Sequence, residues 1–267
     1  MSAQPQIRNL RFGSLAHVAR HWHGGRHSVT TFFDNLSVFF PRGERFFVAS
    51  VRAHQKRVSD PELLAAIRLF CGQEGVHGRE HDLYNASLAA KGYPIAAMEA
   101  RVDAILGLVE RALPKRWQLS ATCALEHFTA LLGMLILANP ALLEGADPTM
   151  AALWRWHAAE ENEHKAVAFD VFVAAGGTYA ERAVIMALAS LIFWAKVFEH
   201  QARMMKVDGT LFSADEWAAL GRFLFVEPGG MGTLARHYLS YYRPGFHPDD
   251  IDSAPVIEAW TRSAATG

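Results

Sequence analysis

The stretch WHAAEENEH (residues 156–164) holds three side chains of the kinds that bind metal ions or carry protons: His157, Glu161 and His164. On an α-helix, turning about 100° per residue, they fall within roughly 60° of arc and point the same way. Leu153, Trp156, Val167 and Phe169 flank them, which places the helix inside a bundle. A carboxylate and two imidazoles are costly to bury unless their charges and hydrogen bonds are satisfied, and a cation satisfies both. A lone Glu-x-x-His on a solvated helix face would need no metal, so the weight falls on whether the pattern recurs.

It recurs. GQEGVHGREH carries Glu74 and His77 at the same spacing, preceded by Glu44 in PRGERFF, and Glu161 is likewise preceded by Glu126 in TCALEHFTALLG. A four-helix bundle that takes one Glu from each of two helices and Glu-x-x-His from each of the other two builds a dinuclear carboxylate centre. Two near neighbours stay open: His81 shares the Glu74 face as a ligand or as a partner of one, and Glu160 could replace Glu161 if the helical register is distorted. Glu80 and Glu163 point away, solvated or paired, while Asp170 and His127 fall on other faces. Cys71 and Cys123 read as small buried hydrophobes. Gly72, Gly75 and Gly78 weaken their helix and imply close packing or room beside a metal.

The ligand pattern resembles the ferritin-like di-iron carboxylate superfamily. RGERFF, QEGVHGREH, ALEHFTA, HAAEENEHKAVAFDV and RPGFHP resemble the bacterial family of predicted metal-dependent hydrolases over roughly residues 35–250. His157 is outside the basic pattern; His-x-x-x-Glu-x-x-His is similar to the di-iron arylamine N-oxygenases, such as p-aminobenzoate N-oxygenase. That resemblance implies seven ligands: Glu44, Glu74, His77, Glu126, His157, Glu161 and His164. Four carboxylates balance two ferrous ions, so two Fe ions are expected, with Mn compatible. The expected function is a di-iron oxidase or oxygenase that uses O2 and an unidentified electron donor on a small, apolar or aromatic substrate. The alternatives are a metal-dependent hydrolase acting through a dinuclear metal-bound water, and an iron-binding or ferroxidase protein.

The elements that must position these residues are helices, because long 3.6-residue periods with caps recur and strand signals are scarce. Helices are expected at about 41–57, from Asp60 to near Gly92, over 95–113, from Pro114 to Asn139, from Asp147 to Gly176 and from Thr178 to Val207. Ser213 with Glu216 predicts a shorter helix, and another is expected near 231–243. The fold class is all-α: a ferritin-like four-helix bundle over 36–245, with an N-terminal arm at 1–35 and a C-terminal tail at 246–267. Met186, Leu191, Phe193, Trp194, Phe198 and FLFVEP are candidates to line an apolar substrate pocket.

Composition removes other classes. Lys plus Arg number 26 against 27 Asp plus Glu, so no charge excess points to nucleic acid. Two cysteines, not in a CxxC arrangement, argue against a disulfide framework or a zinc ribbon. Residues 183–195, between Arg182 and Lys196, fall short of the roughly 20 residues that span a bilayer and read as a buried helix or pocket wall. The start has no signal-like apolar run, so a cytoplasmic protein is expected; a homodimer is compatible with the chain.

Overall fold

The computed structural model describes residues 5–265 and is all-α; among them there is no strand, only an isolated bridge between His23 and Ala146. The helices are α1 (His27–Ser37), α2 (Phe40–His54), α3 (Pro61–Ala90), α4 (Ile95–Ala112), α5 (Lys115–Ala138), α6 (Pro148–His164), α7 (Val167–Ala174), α8 (Tyr179–Val207), α9 (Ala214–Phe225), α10 (Ala235–Ser240) and α11 (Ala254–Ala265). Their starts follow from sequence. Asp60 caps α3 and Asp147 caps α6, each followed by a proline whose missing N–H costs nothing there, and Thr178 forms a reciprocal capping box with Glu181. Ser213 caps α9, but Glu216 does not complete that box: its carboxylate accepts from the Ser28 N–H at the start of α1.

α5 is the central helix, packed against α6, α8, α2 and α7, and α2 pairs with α3. One apolar cluster gathers around Trp22, Phe33, Trp154 and Phe223, and another around Phe46, Phe70, Phe172 and Tyr241. Gly133 permits the closest approach, since a Cβ there would lie 2.9 Å from the Ala158 carbonyl and 3.0 Å from Asn162 Nδ2.

Three features depart from the sequence expectation. The helix expected from 147 to 176 breaks after His164, where the buried Lys165 sends its ammonium to the Ile251 carbonyl and the Ser253 hydroxyl. Part of the stretch read as an arm forms α1, and part of the tail forms α11. Segment 183–195, read as too short for a span, lies in α8, which like α5 is long and apolar enough to cross a membrane by length and composition. Half of the α5 segment is buried against only 22% of that in α8, so of the two expectations, buried helix or pocket wall, α8 meets the second.

Candidate metal centre

α2 supplies Glu44, α3 supplies Glu74 and His77, α5 supplies Glu126, and α6 supplies His157, Glu161 and His164; all seven side chains are buried. Six of them form two groups, Glu44 with His77 and His157, and Glu74 with Glu161 and His164; within each, the potential ligand atoms lie within 4.8 Å of one another. Glu126 joins the second group: its Oε2 is 3.3 Å from His164 Nε2, which also lies 3.1 Å from Glu74 Oε1 and 3.6 Å from Glu161 Oε2. Glu161 Oε1 faces the first group, 2.9 Å from His157 Nε2 and 3.5 Å from His77 Nδ1. Both oxygens of Glu44, Glu74 and Glu126 are buried without a hydrogen bond, as are Glu161 Oε2, His77 Nδ1 and His164 Nε2. Orphaned acceptors converging on one place are expensive in a bundle core and fit bound cations.

Burial, followed by repulsion from Glu74, pushes the Glu44 carboxyl well above its usual range and Glu126 to about 8. Burial likewise raises Glu74, although His164 opposes it. Burial would raise Glu161 too, but the charge on His164 outweighs it and holds this carboxylate well below the normal range. Burial opposes charge on His77 and His164, yet Glu160 and Glu161 lift His77 to about 9, and Glu126 and Glu161 lift His164 well above its usual range. His157 goes the other way, to about 4, through burial and the neighbouring His77.

Each histidine is oriented by its other nitrogen. His77 Nε2–H donates to Glu160 at 3.0 Å, leaving Nδ1 for the centre, and His164 Nδ1–H donates to Gln73 Oε1 at 3.0 Å, leaving Nε2. At His157 the assignment comes through a chain. Asn85 donates to Glu99 at 3.0 Å, which turns its carbonyl to the Ser37 hydroxyl at 2.8 Å. Ser37 Oγ then accepts from His81 Nδ1–H at 2.9 Å, and His81 Nε2 accepts from His157 Nδ1–H at 2.7 Å. A neutral His157 in this tautomer presents the Nε2 lone pair to an ionised Glu161 oxygen. Two lone pairs at that separation repel unless a cation lies between them.

The outer carboxylates are held by the N-terminal segment. Arg8 donates to Glu163 at 2.6 and 2.9 Å and to Glu160 at 3.4 Å, and the Arg8 backbone N–H donates to Glu160 at 3.2 Å. The Gln6 N–H reaches Glu163, the Gln6 carbonyl accepts from Gln73, and the Phe12 N–H reaches Glu80. Glu80 and Glu163 are therefore buried and paired, and Glu160 supports His77 rather than replacing Glu161. The glycines of α3 differ in purpose: a Cβ at residue 72 would strike Ile7 of this strap, one at residue 78 would meet Glu44 Oε2 at 3.1 Å, and one at residue 75 would meet nothing.

His157 and Glu161 also line a cavity of about 230 Å³ between α2, α4, α5, α6 and α8. Its walls are otherwise aliphatic and aromatic, apart from Thr129 and Lys196. The α8 residues expected to line a pocket are mostly misplaced: Phe193 does so, whereas Met186 is core and Leu191 and Phe198 face solvent, as do Phe225 and Val226 of FLFVEP. Ile185, Leu188, Ala189 and Ile192 take their places. Sequence reading also missed Arg8, Gln73 and Ser37, whose partners are remote in sequence. Asp170 accepts from His247, and His127 from α5 pairs with the His237 carbonyl, so neither touches the centre.

The model of a family described as predicted metal-dependent hydrolase matches residues 6–252. The chain belongs to that family. No curated protein and no solved structure matches it. The region shared with the predicted metal-dependent hydrolases includes all seven clustered residues and the strap residues from Gln6 to Phe12.

Proposed function

We propose that the chain is a dinuclear metal enzyme acting on a small apolar molecule held in the cavity beside His157 and Glu161, with Glu44, Glu74, His77, Glu126, His157, Glu161 and His164 as ligands. The observation that carries this reading is the set of buried, hydrogen-bond-free carboxylate oxygens and imidazole nitrogens directed at one another next to an apolar chamber. Carboxylates and imidazoles without thiolate suit iron or manganese, and such ions would supply either redox equivalents for O2 or Lewis acidity toward a carbonyl or phosphoryl oxygen. The protein's own contribution is orientation and exclusion of water. Glu160 and Gln73 fix the ring nitrogens of His77 and His164, His81 fixes His157, and Phe39, Phe40, Leu125 and Phe128 keep the chamber dry.

Of two reaction types, the geometry supports oxidation: the chamber wall offers almost no hydrogen-bond donor to a departing alkoxide or amine, while an apolar C–H or aryl group fits it. Hydrolysis is the reading that the family's description supports, and by that measure it is the better backed of the two. One pair of measurements separates them. Anaerobic loading with ferrous iron, followed by air, gives a transient optical absorption and substrate-dependent O2 uptake if the enzyme oxidises. Turnover of apolar esters with manganese or zinc that is indifferent to oxygen, without any optical transient from the iron form, overturns oxidation and leaves hydrolysis.

A further inference from the structure

The cavity has two chemically different ends. His157 and Glu161, both buried, mark the inner one, whereas Lys196 lines the cavity with a side chain that is 28% exposed and so reaches the mouth. Apolar side chains such as Phe39, Leu132 and Phe193 make up nearly all the rest of the lining. Lys196 Nζ pairs with Glu199 Oε2 at 2.6 Å, but Glu199 does not depend on it: Arg203 donates to its Oε1 at 2.9 and 3.0 Å, and Arg101 Nε lies 3.0 Å from the same oxygen. Three cations thus surround one carboxylate. If Lys196 swings toward a ligand, Glu199 stays compensated and the mouth keeps an excess of positive charge.

We propose that the substrate is an amphipathic monoanion: an apolar ring or medium-length chain filling the cavity, with a carboxylate at the mouth held by Lys196. The cavity exceeds the ~150 Å³ that suffices for benzene in an apolar protein interior, so one ring or a comparable chain fits. The charge at Lys196 would set which end enters first, so the apolar end meets the metal centre and the carboxylate stays outside. This rests on the cavity being the substrate site, as proposed above, but it is independent of the reaction type.

The test is equilibrium binding of octanoate and of 1-octanol to the metal-free full-length chain, which separates recognition from turnover. Octanoate is expected to bind about tenfold or more tightly than octanol, with an advantage that shrinks at high salt. Lys196→Met, which keeps the apolar stem, should erase that advantage and leave octanol within about twofold, and Glu199→Gln should tighten octanoate. Equal binding of the two ligands, no binding of either, or an unchanged octanoate affinity in Lys196→Met would each overturn the proposal. None of these outcomes touches the iron and oxygen measurement, so the two readings fail separately.

Discussion

Asn85 donates to the Glu99 carboxylate, and from that amide inward to His157 each proton has one place to sit. Ser37→Ala removes the acceptor for His81 Nδ1–H and frees His157 to adopt the other tautomer; metal affinity should fall about tenfold, with a changed Mössbauer or EPR signature, while far-ultraviolet circular dichroism stays the same. Protons also compete directly with the ions. Glu126 is pushed up to about 8 and His77 to about 9, so both carry a proton at neutral pH in the metal-free protein and must release it when they bind metal. Affinity should therefore climb as pH rises from about 6 through about 9. Calorimetry in buffers of different ionisation enthalpy would show the released protons; a flat profile would contradict the assignment of these two groups as ligands. That these residues would cluster could be read from sequence because Glu-x-x-His is a within-helix spacing, which periodicity preserves. Arg8, by contrast, meets Glu163 across most of the chain, and no local pattern encodes such a pairing.

Among the elements, the strap and the α5–α6 contact each impose a geometric condition on the centre. Arg8 lies between Glu160, Glu163 and the Trp260 ring of α11, 5.0 Å away, so one guanidinium joins both ends of the chain to the supports of His77 and His164. Arg8→Met should lower metal affinity about ten- to hundredfold without emptying the helices of structure, as metal titration and circular dichroism would show. Gly133→Ala forces α5 away from α6, because backbone atoms and not a flexible tip stand in the way. The expected cost is about 1–3 kcal/mol in chemical denaturation, with weakened metal loading because Glu126 and Glu161 ride on those two helices. The long helices were legible through their caps and prolines. α1 was not: Val29, Phe32, Phe33 and Leu36 make an apolar stripe, but the helix is short and starts without a side-chain cap, and it also buries Ser28, Thr30, Thr31, Asp34, Asn35 and Ser37 on its other faces. In α8 the problem was the reverse. Its apolar residues run all round, with Leu188 at 50% and Leu191 at 71% exposure, so sequence could name the helix but not the face that looks into the cavity.

For the molecule as a whole, α3 and α6 each contribute to both clusters, and Glu161 turns one oxygen to each. Neither half of the centre can then be assembled alone. A first ion would fix the Glu161 rotamer and hold α3 and α6 in the register that the other half also requires, so a second would meet a finished cradle. Filling should be co-operative. Native mass spectrometry of the chain given one equivalent of metal should show mainly empty and doubly loaded species, with few singly loaded ones. Glu161→Gln, which keeps the shape but removes the negative charge shared by the two clusters, should let the singly loaded form accumulate.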